Sequence, residues 1–162
     1  MSTTAAQLLP APVSGDRVAL QLPGFGQVVG FVAGQGAPLL LLHSVNAAAS
    51  AAEVCTLHEH FRHSRTVLSI DLPGYGLSDR PDLAYTPRLM TDALLAATTW
   101  MRQRCGGAPV DALALSLGCE FLARAAVEQP AAYRSLALVS PTGFMGTRVW
   151  RGAPGSTRAV PG

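Results

Sequence analysis

Four short, largely apolar runs separated by helical patterns limit the folds open to this chain. Strands that are apolar at nearly every position, rather than at alternate positions, are typical of a parallel sheet covered on both faces. Such a sheet needs helices between its strands, because parallel neighbours are joined by long crossovers. The four runs are Pro38–Leu42, Thr66–Ile70, Val110–Leu115 and Ser135–Val139.

Helical patterns occupy the intervals between these runs. Ser50-Ala-Ala-Glu53 fits a capping box that opens a first helix, and Thr86-Pro87 opens a second, which Gly106-Gly107 ends. A third helix is predicted from Leu117 to Gln129, before Pro130.

A hairpin is predicted ahead of the first apolar run. Residues 17–22 and 27–33 partly alternate in polarity around Pro23-Gly24-Phe25-Gly26. A hairpin followed by strand–helix–strand units predicts an α/β fold, with a mostly parallel sheet of about six strands and flanking helices.

The length of 162 residues is that of one domain. We expect residues 1–15, rich in Ala, Pro, Ser and Thr, to be disordered, and residues 16–145 to form the domain. Residues 146–162 lack periodicity and are predicted to form an irregular tail.

Composition argues against several classes of partner. The net charge is only +2, which gives no strong attraction to nucleic acid or to an anionic membrane. The N-terminus lacks the basic and apolar regions of a signal peptide, and no apolar run is long enough to span a membrane. Cys55, Cys105 and Cys119 show no metal-ligand spacing, so we expect buried thiols in a reducing, cytoplasmic compartment, and neither a metal nor a cofactor.

Ala114-Leu115-Ser116-Leu117-Gly118 lies where an apolar run meets a helical pattern. A serine on a tight strand-to-helix turn needs small residues two positions away on each side, because larger side chains would collide there. Ala114 and Gly118 meet that need. The pattern therefore predicts a nucleophile elbow at Ser116.

Two further segments extend this pattern to a family. The run Pro38–Leu42 leads into His43-Ser44-Val45-Asn46, and residues 70–81 read Ile-Asp-Leu-Pro-Gly-Tyr-Gly-Leu-Ser-Asp-Arg-Pro. Together with the Ser116 turn, these segments resemble the α/β-hydrolase superfamily. The nearest likeness is to the branch of esterases, haloalkane dehalogenases and haloperoxidases, and it covers about residues 17–145.

The resemblance implies roles for seven residues. Ser44 departs from the His-Gly pair that is usual in the family, where glycine permits backbone angles that serine does not. In the implied assignment Ser116 is the nucleophile, Leu117 and Val45 donate the oxyanion-hole N–H groups, His43 and Ser44 support the oxyanion loop, and Ala114 and Gly118 are the small elbow residues.

The family also places a catalytic acid and a histidine base after the elbow, whereas this sequence has no histidine beyond His63 and no acidic residue beyond Glu128. We therefore expect an incomplete α/β-hydrolase fold that lacks the C-terminal strands. The full-length form would be a serine hydrolase acting on an ester-like small molecule, and this chain alone would be inactive. Perhydrolase and acyltransferase chemistry stay open. The alternative is a non-catalytic fragment, a pseudoenzyme or a binding module with the hydrolase core.

Other polar residues have simpler interpretations. His43 is expected to be structural rather than a base, and Asp71 and Asp79 to hold their loop through backbone hydrogen bonds. His58, His60 and His63 are predicted to lie on a solvated helix face, since the zinc motif H-E-x-x-H fails by one residue.

Two expectations concern packing. Cys119 is expected to pack in the core rather than act as a rival nucleophile. The Ser135–Val139 strand would be left with an unpaired apolar edge, so we expect self-association there.

Overall fold

Six strands form one sheet in the structure, a computed structural model that describes residues 11–143. Their order across the sheet is 1-2-4-3-5-6 in chain numbering. The strands are β1 (Asp16–Leu22), β2 (Gly26–Ala33), β3 (Ala37–Leu42), β4 (Arg65–Ile70), β5 (Val110–Leu115) and β6 (Tyr133–Val139).

The sheet is mostly parallel. Strands β1 and β2 form an antiparallel hairpin, and β2 also pairs antiparallel with β4. Strands β4, β3, β5 and β6 are parallel to one another in that order. The predicted α/β architecture is confirmed, and the predicted strand bounds differ from the observed ones by no more than two residues.

Three α-helices flank the sheet. The second begins at Pro87, where the Thr86 hydroxyl accepts a hydrogen bond from the Leu89 N–H at 3.2 Å. The helices are α1 (Cys55–Phe61), α2 (Pro87–Arg104) and α3 (Gly118–Glu128), with short 3-10 helices at Ala51–Val54 and Pro130–Ala132.

The capping-box prediction is only half right. Ser50 caps the 3-10 helix that precedes α1, its hydroxyl accepting the Ala52 N–H at 3.3 Å. Glu53 does not reach back to Ser50, because its carboxylate accepts hydrogen bonds from Ser44 and Asn46 instead.

Strand β3 shows why its sequence is apolar throughout. Leu40 and Leu42 belong to the core cluster that α2 and α3 cover. Leu39 and Leu41 point to the opposite face, where they pack with Val54 and Leu57. Successive side chains of a strand alternate between the faces of a sheet, so a strand covered on both sides must be apolar at every position.

The prediction that His58 is solvated is wrong. His58 is fully buried, its Nε2–H donates to the Ser14 carbonyl at 2.9 Å, and its Nδ1 accepts the Ser69 hydroxyl at 2.8 Å. Burial lowers its pKa, against a smaller upward effect of the hydrogen bond to Ser14. His60 and His63 are exposed, as predicted.

The folded part begins before the predicted residue 16. Val13 is buried against Val29 and Phe31, and the Ser14 N–H donates to the Glu59 carboxylate at 2.9 Å. The other predicted irregular residues, 1–10 and 146–162, lie outside the described residues, as do residues 144 and 145 of the predicted domain.

Within the described residues, strand β6 is one of the two edge strands of the sheet, with β1 at the other edge, and its apolar side chains are exposed. Leu136 and Leu138 are each 38% exposed and Val139 is 44% exposed. Its start is fixed to β5, because Arg134 and Ser135 donate hydrogen bonds to the Asp111 carboxylate. Arg134, together with Ser135 and Arg65, holds the pKa of Asp111 well below its usual range, outweighing the upward effect of burial. No helix within residues 11–143 is long and apolar enough to cross a membrane.

Candidate active site

The candidate site lies where four parallel strands end. The carboxyl ends of parallel neighbours meet at one edge of a sheet, which is where open α/β sheets bind ligands. The chain leaves β3 at His43, β4 at Asp71, β5 at Ser116 and β6 at Ser140.

Ser116 is held in a strained backbone conformation between β5 and α3. Its φ is 51°, in the left-handed region that residues with a Cβ rarely adopt. Hydrogen bonds on both sides fix the turn, since the Ser116 N–H donates to the Val139 carbonyl at 2.9 Å and the Ser116 carbonyl accepts the Cys119 N–H at 3.1 Å. The serine hydroxyl is thereby placed at the start of α3.

The glycine two residues after Ser116 is needed for close packing. A Cβ on Gly118 would lie 2.6 Å from the His43 carbonyl oxygen and 3.2 Å from Leu42 Cδ2. Ala114 is fully buried at the end of β5. The absence of a side chain at residue 118 therefore allows the Ser116 turn to pack directly on the end of β3.

Thr142 contacts Ser116, a contact that the sequence did not predict. The Ser116 and Thr142 hydroxyl oxygens are 3.3 Å apart, and the Thr142 N–H donates to the Ser116 carbonyl at 3.3 Å. The only sequence signal was that a loop, Ser140-Pro141-Thr142-Gly143, follows a strand that neighbours β5.

His43 has both ring nitrogens engaged. Its Nε2 accepts the Leu72 N–H at 2.9 Å, so the proton must be on Nδ1, which donates to the Ser44 carbonyl at 2.5 Å. Burial lowers the pKa of His43 despite the upward effects of that hydrogen bond and of Asp71. The ring is therefore neutral and has no free lone pair with which to take a proton from Ser116.

Two backbone N–H groups near the site make no hydrogen bond within residues 11–143. They belong to Val45, in the loop after β3, and to Leu117, next to Ser116. Ser44 does not need the backbone freedom of glycine, because its φ is not among the positive values in the described residues.

Asp71 and Asp79 hold the loop after β4. Asp71 is fully buried, and its two oxygens accept the N–H groups of Ala51 at 2.7 Å and Leu77 at 2.8 Å. Asp79 is exposed and accepts the Gln27 N–H at 2.7 Å. Both carboxylates therefore have structural partners, as the sequence analysis expected.

The three cysteines are free thiols, and only Cys119 is buried. Its Sγ lies 3.1 Å from the Ala114 carbonyl, and burial raises the pKa of the thiol. Cys55 and Cys105 are half-buried, so the prediction of burial is wrong for these two. Among residues 11–143, no three His, Cys, Asp or Glu side chains are grouped so as to hold a metal ion.

The family model for the alpha/beta hydrolase fold matches residues 37–156. That match covers most of the chain, and with the sheet order and the Ser116 turn it shows that this protein belongs to the α/β-hydrolase family. No curated protein sequence matches the chain.

Solved structures share the fold at low sequence identity. The serine hydrolase CarC, involved in carbazole degradation, has a TM-score of 0.72 at 20% identity, over 81% of this chain and 50% of CarC. A variant of N-formylmaleamic acid deformylase from Pseudomonas putida S16 has a TM-score of 0.66 at 26% identity, over 78% and 47%. The haloalkane dehalogenase DatA from Agrobacterium tumefaciens C58 has a TM-score of 0.66 at 25% identity, over 78% and 41%. The chain thus spans half or less of the length of each of these structures.

Proposed function

We propose that this chain carries the nucleophile and oxyanion-hole part of a serine hydrolase that acts on ester-like bonds of small molecules. The observation that supports it most is the strained Ser116 at the start of α3, beside the unbonded N–H of Leu117. Preorganised N–H donors stabilise the negative charge that develops when a hydroxyl attacks a carbonyl. CarC, which shares the fold, is a serine hydrolase.

In the proposed reaction, Ser116 Oγ attacks the carbonyl carbon of the substrate and loses its proton to a base. The electron pair of the carbonyl bond moves to oxygen, and the N–H groups of Val45 and Leu117 bind this oxyanion. Collapse of the intermediate expels the protonated leaving group and forms an acyl-serine, which water then hydrolyses.

The chain's own histidines do not supply that base. His43 and His58 have both ring nitrogens engaged, and His60 and His63 are exposed on or just after α1, which packs on β4. We therefore propose that the 162-residue chain by itself turns over esters only weakly. A pseudoenzyme or binding module is the alternative that this lack of a base favours.

A fluorophosphonate probe tests the nucleophile, with imidazole added as an external base. We expect an adduct, detected by intact mass, on the wild-type chain and none on Ser116→Ala. Ser140→Ala is the matched control, because Ser140 is a nearby exposed serine that also has a positive φ, 48°. No adduct on the wild type, or equal labelling of Ser116→Ala, would support the non-catalytic alternative.

Turnover of a p-nitrophenyl ester without added imidazole tests the proposed weak activity. We expect the wild-type rate to lie close to that of Ser116→Ala. A wild-type rate far above background that disappears in Ser116→Ala would show that the chain has a base of its own.

A further inference from the structure

Glu53 binds the residues on both sides of Val45. Its carboxylate accepts the Ser44 N–H at 2.8 Å, the Ser44 hydroxyl at 3.0 Å and the Asn46 side-chain amide at 2.6 Å. The Asn46 amide also donates to the Ser44 hydroxyl oxygen at 2.8 Å. One carboxylate thus joins the residue before Val45 to the residue after it.

The contacts of Glu53 leave the Val45 N–H unused. The adjacent Ser44 N–H is taken up by the carboxylate, whereas the Val45 N–H makes no hydrogen bond within residues 11–143. Two further bonds fix the same loop, because His43 Nδ1–H donates to the Ser44 carbonyl and the Asn46 side-chain oxygen accepts the Ala48 N–H at 2.9 Å.

The ionised state of Glu53 strengthens its hold on Ser44 and Asn46. Desolvation of the carboxylate by the surrounding loop raises the pKa of Glu53, but the hydrogen bonds from Ser44 and Asn46 outweigh that effect, and the pKa lies below its ordinary value. The carboxylate is therefore ionised near neutral pH, and hydrogen bonds to an ionised acceptor are about twice as strong as neutral ones. The Ser44 hydroxyl adds a donor that glycine would not provide.

We infer that Glu53 is a positioning residue for the Val45 N–H, an inference that rests on the proposed function. Its role is to act through the loop rather than on the reacting atoms. By holding Ser44 and Asn46 it keeps the intervening amide in one place, where it can bind the oxyanion. Glu53 lies outside the hydrophobic core and is exposed, so its loss is expected to affect this loop far more than the fold.

The first test measures the backbone mobility of Val45 by ¹⁵N relaxation in the full chain. In Glu53→Ala we expect its order parameter to fall from about 0.85 to about 0.6 or lower, the change from rigid to flexible backbone. Glu53→Gln, which keeps one acceptor oxygen, is expected to fall between the two. Glu59→Ala is the matched control, because Glu59 contacts Ser14 and Arg62 rather than this loop. An unchanged Val45 in Glu53→Ala, or an equal change in Glu59→Ala, would overturn the inference.

The second test measures imidazole-assisted fluorophosphonate labelling of Ser116. Misplacement of a group by about 1 Å can cost on the order of 100-fold in rate, so we expect the maximal labelling rate of Glu53→Ala to fall roughly 10-fold or more. The probe's half-saturating concentration is expected to stay unchanged, and the urea midpoint to fall only slightly, since the lost hydrogen bonds of Glu53 are exposed to water. A wild-type labelling rate retained in Glu53→Ala would overturn the inference. A wild-type chain that is not labelled would refute the proposed function, while the mobility of Val45 would still decide whether Glu53 holds the loop.

Discussion

Asp71 and Asp79 give a direct comparison of buried and exposed carboxylates in one loop. Asp71→Ala removes the acceptor for the buried N–H of Ala51 and for the partly buried N–H of Leu77. Asp79→Ala removes the acceptor for one N–H, that of Gln27, at a solvent-exposed site. The two variants delete the same group, so their difference reports on burial and on the number of hydrogen bonds.

The structure sets the expected magnitudes. A buried donor left unsatisfied costs roughly 1–3 kcal/mol and a partly buried one less, so Asp71→Ala is expected to lower the free energy of unfolding by about 2–3 kcal/mol. At the Asp79 site water can replace the lost acceptor, so the cost there is expected to be roughly 0.5–1 kcal/mol. The difference of about 2 kcal/mol corresponds to roughly 5 °C in Tm for a chain of this size. Asp71→Asn keeps one acceptor oxygen but turns an amide N–H toward the other donor, so we expect an intermediate loss.

Urea unfolding followed by far-ultraviolet circular dichroism measures these losses. The slopes of the free energy against urea concentration must agree among the variants for the midpoints to be compared. If Asp71→Ala costs no more than Asp79→Ala, the two hydrogen bonds of Asp71 do not stabilise the loop, and the reasoning from burial fails.

Three further predictions concern strain, pH and the sheet edge. Because the left-handed region costs a residue with a Cβ roughly 1–2 kcal/mol, Ser116→Gly is expected to be about 1 kcal/mol more stable than Ser116→Ala to urea, and equal stabilities would contradict the strain. Burial holds the pKa values of His43 and His58 below the ordinary 6.5, so the unfolded chain binds protons that the folded chain does not. The free energy of unfolding should therefore fall as the pH drops below about 6.5, less steeply in His58→Gln, whereas a flat or rising profile would exclude this account. We propose that the chain self-associates through β6, and Leu138→Lys is expected to reduce this association as measured by sedimentation velocity. The control Val127→Lys, at a position of α3 that is 79% exposed, is expected to leave it unchanged. Equal effects of the two variants would argue against pairing through β6.

The sequence predicted what depends on neighbours in the chain. The strands, the start of α2 at Thr86-Pro87 and the position of Ser116 between a strand and a helix all follow from local periodicity and from local steric demands. The need for a small residue at Gly118 belongs to this group, although its contact, the His43 carbonyl, is far away in the sequence.

Side-chain partners from other elements could not be predicted in the same way. Glu53 has the spacing of a capping box, yet donors nine residues earlier compete for its carboxylate and bind it. His58 looks solvated within its own helix, but Ser69 on the neighbouring strand and Ser14 enclose it. Thr142 reaches Ser116 only because β6 lies beside β5. Each of these depends on tertiary contacts that periodicity does not encode.

At residue 116, the residue that would make the fold most stable differs from the residue that the proposed reaction needs. Glycine adopts this conformation without strain, so a lineage that no longer uses the serine hydroxyl gains stability by replacing it. Descendants that have lost the reaction are then expected to accumulate glycine at this position before their core changes. A comparison of the residue at this position among homologous sequences would therefore indicate in which of them natural selection still maintains a nucleophile.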